Sequence, residues 1–432
     1  MFEKYDAYKD SYIQGIELIP EKWKVIKLKY LLDSKAGFAF PSDAFSDSGT
    51  AVVRISDLLV SGIVDISKSP KLPSKFNKYL SEYFVKEGDI LMAMTGGTIG
   101  KVSIYKYEQK SFLNQRVCKF IPKANFYSKL AWYWMNTDVW KDYIDLKAFG
   151  GAQPNISDNT IKEMQICLPD SLDTQISICN FLDKKTYEIE QVIAIKEQQI
   201  ALLNERKQIV IQKAVTQGLD PNVPMKDSGV EWIGQIPEHW EIIRSKFLFT
   251  QRKENSRKDD IQLSATQAYG VIPQEEYEKR TGKSVVKISL HLDKRKRVHL
   301  NDFVISMRSF QGGLERAWAE GCIRSSYVVL KPLRPIDPDY YGYLFKTPMY
   351  IKALQNTSNF IRDGQDLNFG NFSQVDLFIV PLAEQKQIVE YIKRQLGDFE
   401  IHLELLNQQI EKLKEYKTTF INDAVTGKIK VA

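Results

Sequence analysis

The chain has 432 residues, of which 43% are hydrophobic and 26% are charged. These proportions are those of an ordinary globular protein, and the length predicts more than one domain. A formal net charge of +6 suits a nucleic-acid partner without requiring one, since a mildly basic balance is common among soluble proteins.

The cysteines and the apolar segments indicate the cellular compartment in which the protein is expected. The four cysteines form no CxxC pair, so we expect free thiols in a reducing cytoplasm: Cys118, Cys167, Cys179 and Cys322. The sequence has no run of about 18 apolar residues, and its first residues do not resemble a signal peptide. The expectation is a cytoplasmic protein that is neither secreted nor membrane-spanning.

Short strands separated by turns are predicted from residue 24 to residue 121. The clearest strand patterns lie at 51–55, 89–94 and 102–105. Residues 130–146 carry aromatic side chains at helical spacing, which indicates a helix facing a core. A glycine-rich turn at 150–155 then leads into a strand pattern that ends at Pro169.

Two stretches, 172–216 and 383–426, keep a seven-residue apolar repeat for longer than an ordinary domain helix does. Gly218 and Pro221 after the first copy are a strong helix stop. The following residues are predicted to form the seam along which these helices pack: Leu182, Ile189, Ile193, Ile200, Leu203, Val210, Ile392, Phe399, Leu403, Leu406, Ile410, Leu413 and Phe420.

The second half of the chain repeats the first. Gln-Gln-Ile at 198–200 recurs at 408–410 and Ala-Val-Thr at 214–216 recurs at 424–426, both at an offset of 210 residues. Lys-Asp-Ser and Ile-Pro-Glu-x-Trp open the chain at 9–11 and 19–23, and recur at an offset of 217. The repeat predicts four segments: a first domain at 1–165, a central helix at 166–218, a second domain at 219–378 and a C-terminal helix at 379–432.

Motifs that would indicate catalysis are incomplete. The turn at 95–102 lacks the first glycine of a phosphate loop, where Thr95 stands, and no Ser or Thr follows Lys101. The sequence Asp-Pro-Asp-Tyr at 337–340 lacks the second proline of the Asn/Asp-Pro-Pro-Tyr motif of adenine methyltransferases. The four histidines are too dispersed for a metal site: His239, His291, His299 and His402. No catalytic centre, metal or cofactor is therefore expected in this chain.

The order of opening box, variable domain, proline and long helix, given twice, resembles the DNA-specificity subunit of type I restriction-modification enzymes. The resemblance covers the whole chain and rests on the boxes at 226–234 and 236–240, the strand openings at Asp89 and Asp302, and the two Ala-Val-Thr helix ends. The first box departs from the second, with Tyr12 and Gly15 in place of Gly229 and Trp232. The resemblance implies an α+β fold with two β-rich mixed target-recognition domains, joined by two long antiparallel coiled-coil helices in a tandem pseudo-twofold repeat.

The resemblance also implies a function and partners. Each target-recognition domain would read one half of a bipartite, asymmetric site in double-stranded DNA. The helices would set the spacing between the halves and dock two methyltransferase subunits, and two restriction and translocation subunits would complete the complex. S-adenosylmethionine, ATP and magnesium would be bound by those partner subunits. A coiled-coil adaptor with two protein-binding domains remains the alternative.

Base readout requires hydrogen-bonding side chains on loops held by a rigid scaffold. In the first domain the candidates lie in or beside predicted turns: Arg54, Thr98, Lys101, Asn114, Gln115, Arg116, Gln153 and Asn155. The corresponding candidates in the second domain are Arg308, Ser309, Gln311, Arg316, Arg324, Ser325, Gln365 and Asn368. A basic run is expected to contact phosphates, which set affinity rather than sequence preference: Lys294, Arg295, Lys296 and Arg297.

Overall fold

The structure is a computed structural model that describes residues 3–59, 61–151, 153–285, 294–357 and 367–431. The chain divides into two compact units. The first unit is Met1–Lys196 with Asn407–Ala432, and the second unit is Glu197–Leu406. Each unit thus takes a part of both long helices, and the four segments drawn from the sequence stay a prediction.

The first unit combines small sheets with short helices. Its strands are β1 (Tyr8–Ile13), β2 (Ile16–Pro20), β3 (Trp23–Lys27), β4 (Leu32–Ala36), β5 (Thr50–Val53), β6 (Lys71–Leu72), β7 (Phe84–Val85), β8 (Ile90–Ala93), β9 (Val102–Ile104), β10 (Ser111–Leu113), β11 (Val117–Pro122) and β12 (Gln165–Pro169). Its helices are α1 (Ser128–Trp134), α2 (Asp138–Lys147), α3 (Asp158–Lys162) and the first part of α4 (Leu172–Gln217). Short 3-10 turns lie at Leu28–Tyr30, Ser42–Ala44, Ile55–Asp57, Ser74–Lys78, Ser81–Tyr83 and Gly96–Thr98.

The second unit has the same kinds of element. Its strands are β13 (Met225–Asp227), β14 (Gln235–Pro237), β15 (Glu241–Arg244), β16 (Phe249–Gln251), β17 (Leu263–Thr266), β18 (Gly270–Pro273), β19 (Lys296–Val298), β20 (Phe303–Ile305), β21 (Glu315–Arg316), β22 (Gly321–Ile323), β23 (Val328–Pro332) and β24 (Asp376–Ile379). Its helices are α5 (Gln274–Thr281), α6 (Ser309–Gly312), α7 (Pro338–Leu344), α8 (Pro348–Asn356), α9 (Phe369–Gln374) and the first part of α10 (Leu382–Val425), together with the second part of α4. A 3-10 turn lies at Ser245–Phe247.

Sheet topology separates a shared frame from a divergent part. In the first unit the shared sheets are β1–β2, β3–β12 and the four-stranded sheet β4–β11–β8–β9. The second unit repeats them as β13–β14, β15–β24 and β16–β23–β20–β21. The remaining sheets differ, because the first unit has β6–β5–β10–β7 where the second has the two ribbons β17–β18 and β19–β22. The repeat seen in the sequence is therefore a repeat of the frame.

The repeated sequence boxes make the same hydrogen bond in both units. The Lys9 ammonium donates to the Glu21 carbonyl at 2.6 Å, and the Lys226 ammonium donates to the Glu238 carbonyl at 2.7 Å. This bond joins the Lys-Asp-Ser box to the Ile-Pro-Glu-x-Trp box. The tryptophan that ends each second box, Trp23 or Trp240, is buried in the main core of its unit.

The difference between the two boxes places a strained backbone in the first unit and an aromatic contact in the second. Tyr12 takes a left-handed backbone, φ +56°, where the second box has Gly229 at φ +69°. A side chain is strained there, whereas glycine is not. In the second unit Trp232 packs edge-on to Tyr350 with ring centroids 5.6 Å apart, and its indole N–H donates to the Asp376 carbonyl at 3.2 Å.

Residues 130–146 are predicted as one helix, and this prediction is wrong in one respect. The segment forms α1 and α2, and the break falls at Met135–Thr137. The Thr137 hydroxyl accepts from the backbone N–H of Trp140 at 3.2 Å, so it caps a new helix. Thr347 caps α8 in the same way, at 3.3 Å from the N–H of Tyr350. The break is therefore part of the repeat.

Helices α4 and α10 confirm the two long helices predicted from the apolar repeat. Within the first unit their segments run antiparallel. The Lys196 ammonium donates to Gln409 at 2.6 Å, the Lys417 ammonium pairs with Glu190 at 2.5 Å, and Phe181 contacts Phe420 at 5.6 Å between ring centroids. Among the described residues, no helix has the length and apolar character needed to cross a membrane.

The predicted seam lies on the inward face of these helices. Leu182, Ile189, Ile392, Phe399, Ile410 and Phe420 are buried, and the other seam residues are half-buried. A separate apolar stripe on α4 is exposed and also recurs at sevens: Ile195, Leu202 and Ile209.

A buried glutamine fixes each long helix to its unit. The Gln175 side chain accepts from the Tyr127 N–H at 2.9 Å and donates to the carbonyls of Asn125 and Pro169 at 3.3 and 3.2 Å. Gln385, which lies 210 residues later, accepts from the Asp337 N–H at 2.7 Å and donates to the Val380 carbonyl at 2.8 Å. Sequence reasoning missed this pair, although the constant offset could have revealed it.

Candidate nucleic-acid interface

In the first unit, the loops that follow strands β5, β10 and β8 lie next to one another. Strands β5 and β10 are parallel, with Val53 opposite Leu113, so the chain leaves both at the same edge. The Asn114 N–H donates to the Val53 carbonyl at 3.1 Å, and the Met94 N–H donates to the Arg116 carbonyl at 2.9 Å. These bonds bring the loops at 54–57, 95–101 and 114–116 together.

The glycine-rich turn after α2 joins this group of loops. The Gly96 N–H donates to the Pro154 carbonyl at 2.8 Å, and Thr95 forms an isolated bridge with Asn155. Gln153 and Asn155 are exposed there, as are Gln115 and Arg116 on the neighbouring loop. The backbone thus presents four of the predicted readers on adjoining loops.

The other predicted readers of the first unit are held by contacts inside it. The Arg54 guanidinium lies 4.8 Å from the centre of the Phe45 ring, and the Asn114 amide oxygen accepts from the Arg116 N–H at 3.2 Å. The Lys101 ammonium donates to the Leu58 carbonyl at 3.0 Å, and the Thr98 hydroxyl is buried without a hydrogen-bond partner among the described residues. These four side chains stabilise the loops from within and do not project from them.

In the second unit, two segments line a cleft of about 700 Å³. The segment after β20 carries Arg308 and, within α6, Gln311, and the loop after β22 carries Arg324. All three side chains are exposed, as is Ser325 beside the cleft. The structure therefore brings these predicted readers together around one concave surface.

Three predicted readers of the second unit have structural partners. Ser309 is buried, and its hydroxyl accepts from the Ser306 N–H at 2.9 Å. Arg316 donates to Asn301 at 2.6 and 3.0 Å, pairs with Asp339 and lies 4.2 Å from the Trp318 ring centre. Asn368 caps α9, since its side chain accepts from the Asn371 N–H at 3.2 Å. Gln365 lies outside the described residues.

The basic run corrects an expectation drawn from the sequence. Arg295 and Arg297 are only 5% and 9% exposed, so a phosphate cannot reach them as it would a surface side chain. Arg295 donates to Gln262 at 2.5 Å, and Arg297 lies 3.8 Å from both Asp260 and Glu320. The Lys296 ammonium donates to the Tyr327 carbonyl at 2.5 Å, and burial lowers its pKa. Lys294 is the exposed member of the run.

A buried carboxylate in the same cleft was missed by the sequence analysis. Glu315 is 2% exposed, lines the cleft and accepts from the Lys346 ammonium at 2.6 Å. Burial raises the pKa of its carboxyl to about 6, although Lys346 acts in the opposite direction. The signal available in the sequence was weak: an acidic residue that follows Leu314 and precedes Arg316, two positions after a glycine.

Part of the chain is similar to a known protein family. Residues 20–203 match the family model described as the type I restriction modification DNA specificity domain. The MjaVIII type I specificity subunit of Methanocaldococcus jannaschii is 29% identical over 196 residues, which cover 43% of this chain and 46% of that protein. The EcoBI specificity subunit of Escherichia coli is 26% identical over 247 residues, covering 56% of this chain and 49% of that protein. The matched segments thus span about half the length of each relative.

A solved structure extends the fold comparison to nearly the whole chain. A chain from a type I restriction-modification system, solved in a study of its complex assembly and conformational transition, aligns with 95% of this chain and 99% of its own length. The TM-score is 0.65 at 14% sequence identity, so the likeness concerns the fold. The resemblance and the α+β fold class predicted from the sequence are confirmed.

Proposed function

We propose that this chain, whose residues 20–203 belong to the type I restriction modification DNA specificity family, is the DNA-reading subunit of such a system and performs no chemistry itself. Each unit reads one half of a bipartite double-stranded site. The first unit uses the loops around Gln115, Arg116, Gln153 and Asn155, and the second uses the cleft around Arg308, Gln311 and Arg324. Exposed Lys294 contacts a phosphate.

The observation that carries this proposal is a frame repeated with different loop-bearing sheets. The frames β4–β11–β8–β9 and β16–β23–β20–β21 correspond strand for strand, whereas the sheets beyond them differ in number and pairing. Reading two different sequences in one fixed geometry needs this combination, because the frame fixes position while loops supply the hydrogen-bonding groups.

The long helices supply spacing and docking in this proposal. Helix α4 is continuous over 46 residues, and a helix of that length rises about 69 Å. Its exposed apolar stripe at Ile195, Leu202 and Ile209 offers a surface that favours burial against another protein. We assign that surface to two methyltransferase subunits in the cytoplasm. Two restriction and translocation subunits complete the complex, and the partners hold S-adenosylmethionine, ATP and magnesium.

A binding measurement tests the proposal against the adaptor alternative. Long duplex DNA is titrated with the full-length chain, alone and with the methyltransferase subunit of the same organism, at several salt concentrations. The proposal expects retention of duplex that falls as salt rises, because phosphate contacts release counterions. Replacing Arg116, Arg308 and Arg324 together by Gln should weaken retention and flatten its salt dependence. A chain that binds the methyltransferase subunit but never retains DNA would be an adaptor.

A further inference from the structure

The cleft of the second unit has charged groups in its wall as well as on its rim. Arg308, Gln311 and Arg324 are exposed at the rim, whereas Arg295 and Glu315 are buried and line the interior. Leu263 and Ile323 supply apolar surface between them. A cleft of about 700 Å³ lies within the range of roughly 300–1,000 Å³ that is usual for ligand sites.

Both buried charges have unused hydrogen-bonding capacity. One Glu315 carboxylate oxygen accepts from Lys346 at 2.6 Å, and the other has no hydrogen-bond partner among the described residues. One Arg295 guanidinium nitrogen donates to Gln262 at 2.5 Å, while its Nε–H has no acceptor in the described part of the chain. Leaving buried polar groups unpaired is costly, so both atoms are candidates for a hydrogen bond to a group that enters the cleft.

The carboxylate belongs to one copy of the repeat. Glu315 of β21 pairs with Val304 of β20, and in the same register of the first unit Ser103 of β9 pairs with Leu91 of β8. The first unit therefore has an uncharged hydroxyl where the second has a carboxylate. A group that differs between the two copies is suited to a task that also differs, such as the base sequence each unit reads.

We propose that Glu315 reads a base whose major-groove edge carries an exocyclic amino group, adenine or cytosine, and that this edge enters the cleft of the second unit. This inference rests on the proposed function. The unpaired carboxylate oxygen accepts from the amino group, and the Arg295 Nε–H donates to the neighbouring acceptor, which is N7 of adenine or O6 of the guanine paired with cytosine. Lys346 holds the carboxylate in place from the other side.

The chemistry of the carboxylate sets the preference. An ionised carboxylate only accepts hydrogen bonds, so adenine N6 and cytosine N4 can donate to it. On the major-groove edge guanine O6 and thymine O4 present lone pairs instead, and a buried carboxylate facing a lone pair gains nothing for its lost hydration. Although burial raises the pKa of Glu315 to about 6, the carboxyl is still mostly ionised at neutral pH.

The test is selection from a library of random duplexes by the full-length chain, in complex with the methyltransferase subunit that the proposed function requires. Wild type is compared with Glu315→Gln, which keeps the shape but adds an amide donor. The matched control is Glu320→Gln, the same change in the same unit at a half-exposed carboxylate outside the cleft lining. Thermal melting of each variant verifies that it is folded.

The expected result is a loss of discrimination, of roughly tenfold, at a single position of the second half-site in Glu315→Gln. The base preferred there by wild type identifies the ligand as adenine or cytosine. The first half-site should be unchanged, and Glu320→Gln should select the wild-type sequence. A folded Glu315→Gln variant that selects the wild-type second half-site would overturn the inference, as would a preference for guanine or thymine at the affected position. A wild-type chain that selects no bipartite sequence would instead overturn the proposed function.

Discussion

Single side chains decide how firmly each long helix is joined to its unit. Gln175 accepts from one backbone N–H and donates to two carbonyls, and Gln385 accepts from one backbone N–H and donates to one carbonyl in the second unit. We expect Gln175→Met to lower the free energy of unfolding by roughly 1–3 kcal/mol, because methionine fills the volume and leaves these groups unpaired. Urea denaturation measures the change.

The control for that substitution lies on the same helix. Gln199 is exposed, so Gln199→Met should change the free energy of unfolding by no more than about 0.5 kcal/mol. Equal effects of the two substitutions would show that the buried hydrogen bonds of Gln175 contribute nothing measurable.

Glu315 gives the second unit a defined pH dependence. The folded-state pKa of its carboxyl is raised from 4.5 to about 6 by burial, so the folded state binds its proton more tightly than the unfolded chain does. The stabilisation from protonation is therefore fully present below pH 4.5 and is lost as pH rises through about 6. A shift of this size corresponds to about 2 kcal/mol.

The measurement compares wild type with Glu315→Gln, which cannot titrate. Between pH 4.5 and pH 7, wild type should lose about 2 kcal/mol of stability relative to the variant. Curves of stability against pH that stay parallel for the two proteins would mean that Glu315 keeps an ordinary pKa.

At the scale of elements, the proposed function has the length of the long helices set the distance between the two half-sites. Inserting four residues between Gln198 and Leu202, and four between Gln408 and Lys412, lengthens each helix by about 6 Å. Four residues exceed one turn by only about 40°, so the apolar seam is displaced but keeps its side. The half-sites should stay the same while the gap between them grows by about one or two base pairs, at about 3.4 Å each.

Methylome sequencing of cells that carry the insertion variant measures both the half-site sequences and the length of the gap between them. A variant with eight alanine substitutions at exposed positions of the same helices, and no insertion, controls for changes in the helix surface. Altered half-sites at an unaltered gap would show that the helices do not set the spacing.

The elements that sequence predicted well are those whose pattern is local and repeated. The apolar residues of the seam repeat so many times along α4 and α10 that the seven-residue period is recognisable even where single positions depart from it. The break between α1 and α2 was missed because the aromatic spacing continues across it, although the Thr137 hydroxyl caps α2. Arg295 and Arg297 are paired with Gln262, Asp260 and Glu320, which are remote from them in the sequence. Four adjacent basic residues give no sign of such partners.

For the molecule as a whole, the duplication predicts that a fragment containing the first half of the chain forms a homodimer. The core of the first unit includes Phe420, Ile421, Ala424 and Val425 from the end of α10. A fragment of residues 1–218 lacks them but carries their counterparts 210 positions earlier: Val210, Ile211, Ala214 and Val215. A second copy of the fragment can supply these side chains. Each methylene buried contributes about 0.8 kcal/mol, so dimerisation is expected to be favourable.

Sedimentation at micromolar concentration tests this expectation. The wild-type fragment should be a dimer, and with the methyltransferase subunit it should direct modification of a palindrome built from the first half-site. The same fragment carrying Ile211→Asp and Val215→Asp should be monomeric, because charges cannot be buried in that core without large cost. A folded wild-type fragment that remains monomeric would contradict the interchange of helix ends.

The central claim is that each unit reads its own half of one bipartite DNA site, and reciprocal loop variants test it most directly. Random duplexes are selected by the full-length complex with wild type, with Gln153→Ala plus Asn155→Ala in the first unit, and with Arg308→Ala plus Arg324→Ala in the second. We predict a bipartite sequence for wild type, a change confined to one half-site for the first variant, and a change confined to the other half-site for the second. Selection of no preferred sequence by wild type, or changes in both half-sites from either variant, would contradict the account.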